Sequence, residues 1–229
     1  MQTLIIDSEE YEMDSQGATM LSQALQCNST LKKLKIEYAH IEDNVQILIP
    51  ALISNSTLKS LSLKNNEIEF DGAIAIAQLI KDNQTIRKMN LSFNAMEERV
   101  QLILNSLQSN STLEKLDLSA NNLGTASINF VPLQFNTTLK KLELAVNVLE
   151  VEQLESISKS LYFNSTLREL CLDNNEIQDI GAKFISQLLI VNSSIITLNL
   201  STNNIGHEGL KYIFDSLQIN STLQTLDIN

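Results

Sequence analysis

The scarcities of this sequence narrow its chemistry before any motif is read. There are only two cysteines, Cys27 and Cys171, and they lie far apart. This is not the framework that staples small secreted domains, and a reducing compartment is the simpler assumption. Positive charge is also in short supply, with 16 basic residues against 27 acidic ones and a net charge of -11. That balance counts against the phosphate attraction on which nucleic-acid binders rely, and it favours solubility. No apolar run approaches the roughly 18 residues of a membrane span. The amino terminus, Met1 to Asp7 and then Glu9, Glu10, Glu12 and Asp14, lacks the basic start and apolar stretch of a signal peptide. There is no glycine-rich phosphate loop, no Gly-x-Ser-x-Gly turn and no Cys-x-x-Cys pair, so neither nucleotide chemistry nor nucleophilic hydrolysis has visible machinery. These absences imply a chain that is cytoplasmic or delivered to a host cytosol by a non-classical route, with no membrane segment, no cofactor and no enzymatic activity of its own.

What the sequence does have is a repeat. Leu58, Leu61, Leu63, Asn66 and Ile68 recur as Ile86, Met89, Leu91, Asn94 and Met96, and again as Leu113, Leu116, Leu118, Asn121 and Leu123. The same frame places repeats at 1, 31, 58, 86, 113, 139, 167 and 195, with a partial one at 223, spanning residues 1–229 as a single domain. Within a repeat, the alternation Leu61-x-Leu63 is strand-like. Ala73, Ile76, Ala77 and Ile80 recur at helical spacing behind Gly72, so each repeat reads as one strand and one helix. Neither element can bury its apolar side alone. Stacking therefore pairs the strands in parallel and closes one core between sheet and helices. Helices are wider than the roughly 4.8 Å spacing of strands, so the stack must curve with the strands inside the arc.

These residues resemble the leucine-rich-repeat family, specifically its ribonuclease-inhibitor-like subfamily with a helix in every repeat. The resemblance covers essentially the whole chain. It implies an α/β fold, a right-handed horseshoe solenoid with its parallel sheet on the concave face and its helices on the convex face. It also implies an asparagine ladder, in which Asn66, Asn94, Asn121, Asn147, Asn175 and Asn203 bond the main chain of the turn leaving each strand. Glu9 and Ala39 occupy this place in the first two repeats, so a less regular amino-terminal end is expected.

A second phrase, Asn-x-Thr or Asn-x-Ser, begins at Asn28, Asn55, Asn83, Asn110, Asn136, Asn164, Asn192 and Asn220. Each matches a glycosylation acceptor. All lie between a helix and the next strand, where the expected role is instead a left-handed residue that stops the helix. Gly72, Gly181 and Gly209 open their helices. The 26-residue repeat from 113, with Pro132 in its helical segment, should carry a distorted or abbreviated helix. The last residues, Leu226 to Asn229, read as a strand without a covering helix, and a cap, a further domain or a partner is expected beyond them.

The second, third, fifth, seventh and eighth places of each repeat form the inner surface. They hold eleven of the sixteen basic residues with only eight acidic ones, so a mildly basic wall lines an acidic body. That pattern suits a protein partner with an acidic patch. The candidate contact residues are Lys35, Tyr38, Lys64, Arg87, Lys88, Phe93, Lys115, Lys141 and Arg168, with Phe93 beside Arg87 as the expected centre. Alternatively Lys115, Asp117, Lys141 and Glu143 only satisfy one another. Asp117, Glu143 and Cys171 fall at one place in three successive repeats, which would suit an acid pair or metal site, but His40 and His207 are remote from them. The leading reading is a protein-interaction module, either the repeat part of a larger receptor or a eukaryotic-like bacterial effector. The alternative is a regulator of a partner enzyme such as a nuclease or small GTPase.

Overall fold

A computed structural model describes residues 2–7 and 12–229; Met1, Glu9 and Glu10 lie outside the described residues. The strands are β1 Thr3–Asp7, β2 Lys33–Glu37, β3 Ser60–Ser62, β4 Lys88–Asn90, β5 Lys115–Asp117, β6 Lys141–Glu143, β7 Glu169–Cys171, β8 Thr197–Asn199 and β9 Thr225–Asp227. They form one parallel sheet in chain order. Between them run α1 Ser15–Cys27, α2 Val45–Ser54, α3 Phe70–Asp82, α4 Val100–Ser106, α5 Pro132–Phe135, α6 Val151–Leu161, α7 Gln178–Val191 and α8 His207–Leu217.

The register follows the leucine frame. Leu34, Leu61, Met89, Leu116, Leu142, Leu170 and Leu198 lie abreast and are buried, and Leu4 and Leu226 continue the row at either end. Each helix turns its own apolar stripe onto them, as α3 does with Ala73, Ile76, Leu79 and Ile80, and the result is one continuous core. Each such leucine contributes roughly 2 kcal/mol by leaving water. The helix layer thins in the repeat from 113. There a short 3-10 turn at Leu123–Thr125 and the four-residue α5 replace a full helix, with Pro132 in the first turn, where its missing N–H costs nothing. Phe130, fully buried, supplies apolar bulk in this repeat. Close packing sets the glycines: a Cβ on Gly181 would sit 2.5 Å from Ile177 Cγ2 and 2.6 Å from Leu154 Cδ1.

The turn leaving each strand is organised by the asparagine ladder. Asn147 Nδ2 donates to the carbonyls of Leu118 and Leu144, each at 3.0 Å, and its Oδ1 accepts the N–H of Asn121 at 2.7 Å. Asn121 one repeat back, and Asn175 and Asn203 one and two repeats on, donate in the same way, so each amide ties two adjacent turns together. The second repeat is not irregular as expected. Ala39 leaves a gap in the row, yet its N–H and that of Ile41 reach Asn66 Oδ1 at 3.2 and 3.4 Å, and the ladder begins there.

The second asparagine row corrects its expected conformation. Asn28, Asn55, Asn83, Asn136 and Asn192 have φ between -73° and -86°, extended rather than left-handed. They stop their helices through side chains instead. Asn136 Oδ1 accepts from the N–H groups of Thr138 and Leu139 at 3.0 and 2.7 Å, while its Nδ2 donates to Leu107 of the preceding repeat at 2.8 Å. Asn55, Asn164, Asn192 and Asn220 do the same, and the following Thr or Ser hydroxyl donates across to the neighbouring turn. A second ladder thus runs along the opposite rim. At Asn55, Asn83, Asn110, Asn136, Asn164 and Asn192 the Nδ2 atoms are buried and committed to main-chain carbonyls, so the acceptor-like spelling matches a structural bonding pattern.

The left-handed residues lie elsewhere, on both sides of the first ladder. Tyr38, Asn65, Phe93, Ala120, Val146, Asn174 and Thr202 precede the ladder position, and His40, Glu67, Ala95, Asn122, Val148, Glu176 and Asn204 follow it, all at φ between 44° and 61°. Such a conformation costs a residue other than glycine roughly 1–2 kcal/mol, most for branched side chains.

Two substitutions separate these terms in urea unfolding. Asn147→Leu leaves the buried N–H of Asn121 without its partner and takes one of two amide donors from each of the Leu118 and Leu144 carbonyls, and should lower stability by about 2–3 kcal/mol. Val148→Asn, which copies Asn122 and Asn204, should raise it by about 1 kcal/mol.

Candidate functional site

Because the leucines point to the helices, the third and fifth places of every strand point away from them. Of the nine residues expected to contact a partner, Lys35, Lys88, Lys115 and Lys141 occupy those places and the other five lie just before or beyond the strands, so the nine fall into three neighbourhoods and do not form one patch.

The first is the floor of the sheet. Lys35, Lys88 and Lys115 line a hollow of about 250 Å³ together with Ser62, Asn90 and Asp117. In the register Lys88, Lys115 and Lys141 stand abreast on β4, β5 and β6. Lys141 is neutralised by Glu143 at 3.0 Å and Glu169 at 3.5 Å, and the hydrogen bond to Glu143 holds its ammonium above the usual lysine range despite partial burial. Lys35 lies 3.4 Å from Glu37. Among the described residues Lys88 and Lys115 have no ion pair. Mutual satisfaction therefore holds for Lys141 and Glu143 but not for Lys115 and Asp117, whose Oδ1 accepts the N–H of Ser119 at 2.9 Å.

The second lies where the strands end. Lys64 Nζ stands 5.2 Å from the ring centre of Tyr38 and 5.0 Å from that of Phe93. A hydrogen bond to Tyr38 raises the Lys64 pKa against a small burial effect, with Glu37 and Asp117 adding field. This corrects the expected pairing of Phe93 with Arg87. Phe93 lies beyond the end of β4 and Arg87 just before its start, so the strand separates them. Lys64, one repeat earlier, is the cation of the aromatic cluster.

The third lies where the strands begin. Arg87 and Arg168, with Lys140, surround Glu114 in a hollow of about 290 Å³ whose wall carries Thr138 and Thr166. Arg87 Nη1 donates to Glu114 Oε1 at 2.6 Å, Lys140 Nζ approaches Oε2 at 3.3 Å, and Arg168 Nη1 donates to the Ser194 carbonyl at 3.0 Å. The Arg87 hydrogen bond, then that of Lys140, holds the Glu114 carboxyl below the usual range. Lys140 was missed as a contact candidate, although its place in the second row of the repeat marks it.

The acidic row has the expected register, Asp117 to Glu143 to Cys171, and continues to Asn199. Its chemistry is quiet. Cys171 Sγ donates to Asp173 Oδ1 at 2.8 Å, and burial, with that contact, pushes its pKa up to about 12. Among the described residues no group of three or more His, Cys, Asp or Glu is placed to hold a metal ion, and no helix is long and apolar enough to cross a membrane. His40 bonds Glu67 at 3.0 Å, while His207 opens α8.

Repeated strand-turn-helix units, two asparagine rows and a parallel sheet define the class, which sequence comparison gives independently. A family model described as a leucine-rich repeat matches residues 54–77, 109–128, 163–186 and 191–214. These stretches are leucine-rich repeats, and the chain folds as a leucine-rich-repeat solenoid. No curated protein matches it in sequence. Among solved structures it is similar to the leucine-rich-repeat-containing protein LegL7 from Legionella pneumophila, with a TM-score of 0.68 and 17% identity over 99% of this chain and 73% of that one. That likeness shows the fold. The tropomodulin carboxy-terminal domain of Caenorhabditis elegans is similar at a TM-score of 0.47 and 13% identity, over 75% of this chain and 92% of that one. An internalin from Listeria monocytogenes is similar at 0.48 and 19% identity, over 90% of this chain and 56% of that one.

The two thiols should differ sharply. Iodoacetamide at pH 8 followed by peptide mass spectrometry is expected to label the exposed Cys27 and leave Cys171 unmodified in the folded chain.

Proposed function

We propose that residues 1–229 act as one non-catalytic recognition domain that holds an acidic protein partner against the exposed face of the sheet. The observation that carries this reading is the juxtaposition of Lys88 and Lys115 without a carboxylate for either. Like charges directly opposite on neighbouring strands are destabilising. The same place holds Ser60 on β3, Glu169 on β7 and Thr197 on β8, so the repeat tolerates uncharged or acidic residues there. A partner's carboxylate relieves the repulsion on binding. Lys35 extends the charge, and the Tyr38, Lys64 and Phe93 cluster supplies aromatic area at the adjoining rim, the residue types in which binding energy concentrates. With the rest of the body acidic, an acidic partner is steered to this face and repelled from others.

Support for a non-catalytic role comes from the protonated Cys171 and from the pairing of Glu143 with Lys141. The unbridged, exposed Cys27 supports a reducing cytosol, that of the cell itself or of a host. The same surface serves equally in the repeat part of a larger receptor or in a delivered bacterial effector. Regulation of a partner enzyme is the second reading. Arg87 is engaged by Glu114 and Arg168 by Ser194, which favours an inhibitor that covers its target over an activator that inserts an arginine.

The double charge reversal Lys88→Glu with Lys115→Glu tests the main reading. Affinity capture with quantitative mass spectrometry should lose the partners retained by the original chain, and their retention should weaken as salt rises. The urea midpoint of the variant should stay about level, because the double reversal exchanges one like-charged pair for another while an acid at position 115 stands beside Lys141. Undiminished capture of every partner by the reversed chain rejects the sheet floor as the binding face.

A further inference from the structure

A second surface lies on the rim where the strands begin, outside the sheet floor. The residue just before each rim asparagine is Cys27, Ser54, Asp82 and Ser109 in the first four repeats and Phe135, Phe163, Val191 and Ile219 in the next four. The last four are 58%, 77%, 50% and 63% exposed, so the core does not require them to be apolar. Scattered exposed apolar residues are ordinary, but one row of four in successive repeats is a contiguous patch of the kind that marks an interaction site.

This row meets the third hollow at two adjacent turns. Phe135-Asn136-Thr137-Thr138-Leu139-Lys140 and Phe163-Asn164-Ser165-Thr166-Leu167-Arg168 share one order. In each, the asparagine and leucine are buried, while the phenylalanine, the hydroxyls and the cation border solvent. Arg87, Lys140 and Arg168 surround the hollow with Glu114 as their carboxylate, leaving two positive charges in excess on a chain of net charge -11. The four residues end helices or the turns after them in consecutive repeats, so their span lies between about 14 Å at strand spacing and about 30 Å at helix spacing, which an extended peptide covers with about five to nine residues.

We infer that this rim docks a short extended segment of a partner protein, carrying one or two Asp or Glu side chains into the hollow and an aromatic or aliphatic side chain onto Phe135 and Phe163. Charge complementarity selects the acid, and the exposed row selects its apolar neighbour. The inference does not rest on the sheet-floor reading, since the two hollows share no lining residue and Lys115 enters only as the control.

The probe is a phage-displayed library of random peptides of about seven residues, panned on the full chain. Selected sequences are then synthesised with a fluorophore and titrated by anisotropy. The expected consensus places Asp or Glu within three positions of Phe, Tyr, Trp or Leu. Binding should weaken about tenfold or more with Phe163→Ser and with Arg168→Gln. It should be unchanged by Lys115→Glu. Far-ultraviolet circular dichroism and an unchanged urea midpoint check that each variant is folded, and Phe163 is exposed enough for its replacement to be neutral. Enrichment of no peptide, a consensus without acid, or binding indifferent to both rim variants overturns the proposal. Peptides lost only with Lys115→Glu assign the acid preference to the floor and also overturn it. So does concentration-dependent self-association in analytical ultracentrifugation that Phe163→Ser abolishes, since the occupant is then a second copy of the chain.

Discussion

The structure depends on giving every buried main-chain group of its turns a hydrogen-bond partner. A stack of short strands, most of them three residues long, leaves each repeat with two turns, one leaving the strand and one returning to it, and both pack between neighbours. Unpaired N–H and C=O groups there would cost about 1–3 kcal/mol apiece, repeated along the chain. Asparagine answers this twice per repeat because its amide donates and accepts at once. Asp would present a buried charge and no donor, and Ser reaches less far. Asn147 on one rim and Asn136 on the other each bond main-chain atoms of two repeats, so the ladders hold the stack together as well as closing the turns.

The ladder also explains a strain that local preference opposes. To aim the amide of Asn147 inward, the chain takes left-handed conformations at Val146 and Val148, where branched side chains are least comfortable. The bonds made by the asparagine offset this cost. The same geometry turns the residue before the ladder outward, which puts Tyr38 and Phe93 on the rim, with Lys64 between them, instead of in the core. The backbone strain and the aromatic cluster therefore have one origin.

Charge is sorted by the pleat. Alternation along the strands sends leucines to the helices and the third and fifth places to the open face, which gathers cations there while acids dominate elsewhere. Pairing then sorts the cations again. Glu143 and Glu169 take Lys141, Glu114 takes Arg87 and Lys140, and Lys88 and Lys115 are left to repel one another. Such a pair is legible as chemistry only after its neighbours are known.

The sequence by itself determined the repeat frame, the strand register, the parallel sheet, the first asparagine ladder and the abbreviated helix near Pro132. The frame, register and sheet follow from periodicities of two and about twenty-eight residues and the short helix from the ring of proline, while the ladder's bonding was what the family resemblance implied for the asparagines of that frame. Lys35, Lys88, Lys115 and Lys141 were legible as contact candidates, since every third and fifth place must face away from the leucines. Only the tertiary structure decided which of the candidates meet. Arg87 and Phe93 are six residues apart and parted by a strand, whereas Tyr38, Lys64 and Phe93 come from three repeats and converge. The conformation of the second asparagine row was also a tertiary matter, because its partners are carbonyls a whole repeat away and local preference alone points to the wrong turn.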